Sequence, residues 1–290
     1  MLLTSAIISG LSLGSMYGLI ALGFHVTYVV SNTVNFSQGS AMMLGGVLGY
    51  TFAVTLGWPL PLAAVLALAL CGLFGLIVER LLVRPFTQRN SNGWLMATVA
   101  GGIVLDNIIL FTFGKEPRNF PSALTVTPVQ VFGAGVYVLQ LVIPVAGLAI
   151  AVLLQAGFHR TRIGKSLLAI VQNPDAARLM GIDVRRAIAG AFALSTMLAG
   201  FAGLLIAPLF SVHSEMGALF GIKAFAVAIL GGITSAWGVM LAGLAYGLIE
   251  ALVTAYFGSV YTQIVAFSIV ILALAIMPNG ILGRAAVYKV

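Results

Sequence analysis

The stretch Phe220-Gly-Ile-Lys-Ala-Phe-Ala-Val-Ala-Ile-Leu-Gly-Gly-Ile-Thr-Ser235 is apolar but too short for an ordinary membrane-spanning helix. Its apolar part, from Phe220 to Leu230, rises only about 16 Å as a helix, which is roughly half the apolar thickness of a bilayer. Gly231-Gly232 then interrupts the run. The stretch therefore predicts a broken or re-entrant helix within residues 220–235.

Longer apolar runs lie on both sides of this stretch, and most of them reach the roughly 20 residues that a spanning helix needs. They are Leu2–Val30, Phe36–Leu56, Leu60–Val78, Trp94–Phe113, Val136–Phe158, Ala187–Leu209, Ala236–Phe257 and Val260–Met277. Hydrophobic residues make up 61% of the 290, charged residues 7%, and the mean hydropathy is +1.12. This predicts an all-α polytopic membrane protein with about eight transmembrane helices, in one domain over residues 1–290.

Basic side chains are concentrated in residues 79–93, residues 159–186 and the tail after Met277. Because short cytoplasmic loops carry an excess of Lys and Arg, these three segments are predicted to lie in the cytoplasm. That bias also accounts for the net charge of +7, so no nucleic-acid partner is predicted. A cytoplasmic tail requires residues 220–257 to enter the membrane from outside and return there, which again indicates a dip near Gly231-Gly232.

A second interruption, Ser31–Ser40, is rich in polar side chains and lies between two strongly apolar runs. Irregular backbone at membrane depth persists only where it is buried in protein or lines a wet cavity, and transporters place substrate paths at such breaks. Two interpretations remain open, a broken helix beside a path and a plain turn that joins two spans.

The basic segment 159–186 contains start and stop signals for a short helix. Asn173 is a favoured N-cap, Pro174 suits the first helical position and Asp175 complements the positive helix end. Gly181 suits the left-handed residue beyond the C-terminus. The sequence therefore predicts a capped cytoplasmic helix of about seven residues, which is too short to be stable alone.

The surface of this helix is predicted to carry a small apolar knob of Ala176, Ala177 and Met180. Leu179 is expected at the edge of the knob, and Arg178 is expected to project elsewhere. An apolar knob among basic residues suits insertion into a groove on a partner. The alternative is a helix that lies on anionic lipid head groups.

Signals for chemistry on this chain are weak. Gly164-Lys165-Ser166 is similar to the end of a phosphate-binding loop, but His159 stands where that loop requires glycine, so ATP binding by this route is excluded. Asp106 and Glu250 are costly in hydrocarbon and are functional candidates, either as coupling sites of an ion-driven carrier or as anchors of helix packing.

Small residues recur at helical spacing in two places, Gly72-Leu-Phe-Gly75 and Gly243-Leu-Ala-Tyr-Gly247. Such spacing lets membrane helices approach closely. Two interpretations of this internal similarity remain open, tight helix contacts at both glycine pairs and a duplicated architecture.

The run Gly164–Ile182 resembles the cytoplasmic coupling loop of the permease subunits of branched-chain amino acid ABC importers. Further runs resemble the same family in order and spacing: Gly10–Gly23, Val34–Gly39, Glu79-Arg80 with Arg84-Pro85, Lys223–Gly238 and Met277–Arg284. The last two are similar to the H-type permease subunit rather than to its longer M-type partner.

The resemblance implies a permease domain that works by ATP-driven alternating access in a bacterial inner membrane. Its implied partners are a second permease subunit, two cytoplasmic ATP-binding subunits and a periplasmic substrate-binding protein. The second permease subunit is either a copy of this chain or a different chain, and the resemblance favours a different one. ATP and Mg²⁺ then belong to the partner subunits, and this chain has no cofactor and no catalytic or metal-binding residue. The residues assigned to ATPase coupling are Asn173, Pro174, Asp175, Ala176, Ala177, Arg178, Met180 and Gly181.

The two breaks are assigned to the translocation path, with Asn35, Ser37, Gln38 and Gly39 in the first and Lys223, Gly231, Gly232, Thr234 and Ser235 in the second. Lys223 is expected at the mouth of the second break, where it steers a substrate carboxylate, contacts the binding protein or extends to lipid head groups.

Family members usually continue the first break as Phe-Ala-His-Gly, whereas this chain has Phe36-Ser37-Gln38-Gly39. Branched-chain amino acids are the favoured substrate, and urea, short amides and aromatic acids are the alternatives within the family. An ion-coupled carrier and a scaffold subunit that transports nothing are the alternatives outside it.

Overall fold

The computed structural model describes residues 2–89, 91–277 and 280–283, which are predominantly helical. The helices are α1 (Leu2–Ser31), α2 (Gln38–Tyr50), α3 (Leu60–Ile77), α4 (Arg84–Thr87), α5 (Trp94–Phe113), α6 (Val138–Arg160), α7 (Arg162–Gln172), α8 (Pro174–Leu179), α9 (Val184–Ile206), α10 (Met216–Gly231), α11 (Ala236–Phe257) and α12 (Ser259–Ile276). A 3₁₀ turn, Ala123–Thr125, and an antiparallel hairpin of β1 (Pro128–Val131) and β2 (Ala134–Tyr137) precede α6.

Within this described part of the chain, seven helical segments are long and apolar enough to cross a membrane. They are α1, the continuous segment from α3 to α4, α5, α6, α9, α11 and α12. Helix α10 is apolar but shorter. The prediction of an all-α polytopic membrane protein is confirmed. The eighth predicted run, Phe36–Leu56, is not among the seven, and the α-helix within it, α2, has 13 residues.

Both predicted helix breaks are present. Helix α1 ends at Ser31 and α2 begins at Gln38, and four residues separate the end of α10 at Gly231 from the start of α11. The helix before the second break is longer than the apolar run predicted, because it already begins at Met216. Gly217 and Gly221 of α10 lie against the backbone of Gly39.

The described chain divides into two compact units. The terminal unit comprises residues 1–25, 123–152 and 223–290, and the central unit comprises residues 26–122 and 153–222. The assignment of residues 1–290 to a single permease domain stays a prediction.

The central unit is built around α2, which packs against α3 and α9 and is buried along nearly its whole length. The contact between α2 and α9 is made by backbone. Gly45 faces Gly200, and Gly203 faces the carbonyl of Met42. At the α3 contact Gly75 lies against the backbone of α9, as its spacing predicted. Glycine at these positions lets the helices approach more closely than any side chain allows.

The terminal unit contains a similar contact between α1 and α11. Gly14 of α1 lies against Gly243, and Gly10 lies against the turn of α11 that contains Gly247. Glycines four residues apart on both helices produce this close antiparallel packing. The expectation from the spacing of Gly243 and Gly247 is confirmed.

A π-helical segment, Val78–Val83, continues α3 and leads into α4. It contains Glu79, which is buried, and Arg84 follows it directly. Arg84 donates to both carboxylate oxygens of Glu79, with Nε to Oε1 at 3.0 Å and Nη2 to Oε2 at 2.7 Å. A bidentate pair of this kind fixes orientation as well as charge, so it holds the end of α3 in one geometry.

Candidate functional site

The first break is a closed hydrogen-bond network inside the central unit. The Asn35 Oδ1 atom accepts from the backbone nitrogen of Ser37 at 3.1 Å and from its hydroxyl at 2.6 Å. Gln38 Nε2 donates to the carbonyl of Ser195 on α9 at 2.8 Å, and the Ser195 hydroxyl donates back to Gln38 Oε1 at 3.0 Å. The side chains of this network therefore join the start of α2 to α9.

Asn35, Ser37 and Gln38 have no exposed surface in this conformation. Of the two interpretations of Ser31–Ser40, the structure has the helix break within a packed unit, where buried side chains satisfy the backbone. The role of Asn35, Ser37, Gln38 and Gly39 in the translocation path stays a prediction.

The second break lies in the terminal unit. Gly232 has a φ of +83°, a left-handed conformation that glycine adopts without strain. The carbonyl of Ile233 accepts from His25 Nδ1 at 2.7 Å, and the Ser235 hydroxyl caps α11 by accepting from the nitrogen of Gly238. Gly231 is buried and Thr234 is exposed, so this break has one accessible side. Its role in the path also stays a prediction.

Lys223 does not lie at the mouth of the second break, and this expectation is wrong. The residue lies on α10, two turns before the break, and only 8% of its surface is exposed. Its Nζ atom donates to Glu250 Oε1 of α11 at 2.5 Å and to the Tyr17 hydroxyl of α1 at 3.3 Å. The physical reason is that a buried carboxylate attracts the ammonium inward, so the side chain does not extend to lipid head groups.

Two tyrosines complete a buried cluster with Lys223 and Glu250, which we call the charge cluster. The rings of Tyr17 and Tyr246 meet edge to face, with centroids 5.6 Å apart, and the Tyr17 hydroxyl also interacts with the Glu250 carboxylate. Within the described residues, the Tyr246 hydroxyl and Glu250 Oε2 are buried and have no hydrogen-bond partner. Sequence reasoning selected Lys223 and Glu250 separately and missed both tyrosines. The glycine spacing of α1 and α11 was the available signal, because it brings these helices together.

Asp106 of α5 does not join this cluster. It lies in the central unit, is half-buried, and interacts with the Ser40 hydroxyl. Its Oδ1 atom has no partner in the described structure. Asp106 and Glu250 therefore have different surroundings, one a neutral hydroxyl and the other a lysine.

The short helix α8 has the caps that the sequence predicted. The Asn173 Oδ1 atom accepts from the backbone nitrogens of Asp175 and Ala176, at 3.1 and 3.0 Å, and Pro174 is the first helical residue. Gly181 follows the helix with a φ of +81°. These local contacts stop α8 at both ends.

The apolar knob predicted on α8 is composed differently. Ala177 is buried and packs with Ile170 of α7 and Val184 of α9, whereas Ala176 is exposed. The exposed apolar side chains are Leu179 and Met180, with 89% and 83% of their surfaces accessible. A helix of six residues has too few turns for its sequence to show which face is covered. The amphipathic helix α7 covers Ala177, and no helix was predicted there from the sequence.

A groove of about 560 Å³ borders α8. Its walls are formed by Arg178, Gly181, Ile182, Asp183, Val184 and Arg185. Asp183 caps α9 by accepting from the backbone nitrogen of Arg186. The described residues contain no group of three or more His, Cys, Asp or Glu side chains that could hold a metal ion.

Comparison with known proteins relates the whole chain to transport proteins. Residues 6–274 match the family described as branched-chain amino acid transport system permease component. The chain is 32% identical to the high-affinity branched-chain amino acid transport system permease protein LivH of Escherichia coli (strain K12), over 97% of this chain and 96% of that protein. It is also 32% identical to the corresponding permease protein BraD of Pseudomonas aeruginosa, over 98% of this chain and 97% of that protein.

A solved structure has a similar fold. The structure described as PsaBC from Streptococcus pneumoniae in complex with Fab aligns with a TM-score of 0.51 and 14% identity, over 94% of this chain and 91% of that chain. At this identity the likeness concerns the fold alone.

Proposed function

The chain belongs to the family of permease components of branched-chain amino acid transport systems, and from this premise we propose that it moves branched-chain amino acids across a bacterial inner membrane as a subunit of an ATP-driven importer. Its expected partners are a second permease subunit, two cytoplasmic ATP-binding subunits and a periplasmic substrate-binding protein. The related LivH and BraD proteins are named for branched-chain amino acid transport, which supports this substrate over urea, short amides and aromatic acids.

The observation that carries the ATP-driven part of this proposal is the exposed end of α8. Leu179 and Met180 are two large apolar side chains that are exposed, and Arg178, Arg185 and Arg186 of the same segment are exposed as well. Apolar anchors in a charged surround are typical of a helix that inserts into a groove on a partner protein. An ATP-binding subunit with an apolar pocket would fit this surface, on which Arg178 and Arg186 are already paired with Asp175 and Asp183.

Packing offers a route from α8 to the membrane helices of the central unit. Ala177 belongs to a cluster whose neighbour Ile188, on α9, also packs against Val83 and Phe192 near the π-helical end of α3. We propose that closure of the ATP-binding subunits displaces α8 and that this contiguous packing transmits the displacement. Tightly packed elements rearrange between discrete states rather than deforming continuously, as such a coupling requires.

The docking proposal predicts that Leu179→Glu and Met180→Glu each reduce the amount of ATP-binding subunit recovered with the permease at least about tenfold, since a buried apolar anchor is replaced by a charge. The measurement is quantitative co-purification from membranes that contain all subunits. Phe132→Glu is the matched control, because Phe132 is an equally exposed apolar residue in the β1–β2 turn. Normal recovery with both α8 variants would contradict the docking surface.

A further inference from the structure

The charge cluster of the terminal unit is an incomplete hydrogen-bond network. Lys223 and Glu250 are each about nine-tenths buried and bonded to each other, yet Glu250 Oε2 and the Tyr246 hydroxyl have no partner among the described residues. Leaving a buried polar atom unpaired costs free energy, and the cost is greatest in a site that water cannot enter. A membrane helix folds more readily with apolar residues at such positions. The two unpaired atoms therefore indicate a ligand that forms hydrogen bonds with them in another conformational state.

We propose that Lys223, Glu250, Tyr17 and Tyr246 form a binding site for a zwitterionic α-amino acid during its passage through the membrane. The inference rests on the proposed function and adds the residues that recognise the substrate. In the structure described above, Lys223 and Glu250 neutralise each other, which is the closed form of the site.

The chemistry of a zwitterion matches the cluster atom by atom. An α-ammonium group donates three hydrogen bonds and fits the open Glu250 Oε2 atom. An α-carboxylate accepts hydrogen bonds and fits the Lys223 ammonium together with the Tyr246 hydroxyl, which is a donor without an acceptor. Binding thus gives hydrogen-bond partners to Glu250 Oε2 and the Tyr246 hydroxyl, which have none in the closed form.

Exchange of the internal ion pair for the substrate keeps every charge compensated. As Lys223 and Glu250 separate, Lys223 pairs with the substrate carboxylate and Glu250 pairs with the substrate ammonium. A ligand with only one charged group would leave either Lys223 or Glu250 unpaired in the membrane, where an isolated buried charge is strongly unfavourable. The site consequently selects molecules that carry both an ammonium and a carboxylate.

The three helices of the cluster are held in different ways. Tyr17 and Tyr246 lie beside the glycine contact between α1 and α11, which admits little separation of the two backbones. Lys223 comes from α10, whose C-terminal end is the second break, and the Leu230 and Gly231 carbonyls at that end accept from the nitrogens of Ile281 and Leu282. A shift of α10 relative to the α1–α11 pair would open the ion pair without breaking the glycine contact.

Tyr246→Phe tests the site, because it removes an unpartnered hydroxyl and keeps the aromatic packing. A purely structural cluster predicts an unchanged or slightly more stable protein with normal transport. The proposal predicts that uptake of radiolabelled leucine per ATP hydrolysed falls about tenfold in the assembled importer, since one hydrogen bond to a charged group is lost. Tyr256→Phe is the control, because Tyr256 lies on the same helix and is 59% exposed.

The outcomes separate this inference from the proposed function. Normal leucine uptake per ATP with Tyr246→Phe would overturn the zwitterion site and leave the importer assignment intact. Failure of the unmutated importer to take up any branched-chain amino acid would overturn the proposed function itself.

A double variant, Lys223→Met with Glu250→Met, is a second test of the site, because an apolar pair can replace a buried ion pair without loss of folding. We expect it to retain ATP hydrolysis and to lose leucine uptake, and normal uptake would again contradict the site.

Discussion

Gly203→Ala is expected to prevent folded protein from accumulating, whereas Gly190→Ala on the same helix is expected to be tolerated. A Cβ atom on Gly203 would collide with the carbonyl oxygen of Met42 and lie 3.0 Å from the backbone nitrogen of Gly46. Both obstacles are backbone, so no side chain can move aside and α2 and α9 must separate. Overpacking a core costs about 1–3 kcal/mol even when side chains can yield, and a larger loss is expected here.

The comparison with Gly190 isolates this steric effect from helix propensity. Nothing lies within 4 Å of a Cβ atom built on Gly190, and alanine is favoured over glycine in a helix by about 1 kcal/mol. The measurement is the yield and thermal midpoint of detergent-solubilised protein, followed by size-exclusion chromatography. Equal yields for the two variants would show that α2 and α9 are not in backbone contact.

Arg84→Ala is expected to lower the free energy of unfolding by about 3–5 kcal/mol, because it leaves Glu79 buried without a partner. Glu79 is 3% exposed, and Arg84 supplies both of its hydrogen bonds from side chains. The same variant should reduce the ATP hydrolysis that the binding protein stimulates, since the π-helical end of α3 packs with the α9 residues that contact the α8 cluster.

Arg80→Ala is the matched control for Arg84→Ala. Arg80 lies in the same π-helical segment and is exposed, so its loss should change stability by no more than about 0.5 kcal/mol. Replacing both Glu79 and Arg84 with leucine should recover most of the lost stability, since an apolar pair leaves no buried charge. Similar thermal midpoints for Arg80→Ala and Arg84→Ala would refute the buried ion pair.

Features that depend on neighbouring residues could be predicted from the sequence. The two helix breaks follow from glycines and polar residues inside apolar runs, and the caps of α8 follow from Asn173 and Gly181. In each case the interacting groups are a few residues apart, so spacing alone determines the geometry.

Features that depend on tertiary packing could not be predicted. Lys223 and Glu250 are 27 residues apart, and Gln38 and Ser195 are 157 apart. Both pairings are determined by how the helices pack. Glycine spacing indicates that a helix has a close neighbour, but it does not indicate which side chains pair across the contact. The orientation of α8 depends on α7, which covers Ala177 and leaves Leu179 exposed.

This chain is proposed to transport branched-chain amino acids while partner subunits consume the ATP. The most direct test is uptake of radiolabelled leucine into liposomes that contain this chain, its second permease subunit, the ATP-binding subunits and the binding protein. Uptake is predicted to require ATP and Mg²⁺ on the side of the ATP-binding subunits and to stop when the binding protein is omitted. Leucine uptake by this chain alone, driven by a proton or sodium gradient without ATP, would contradict ATP-driven transport.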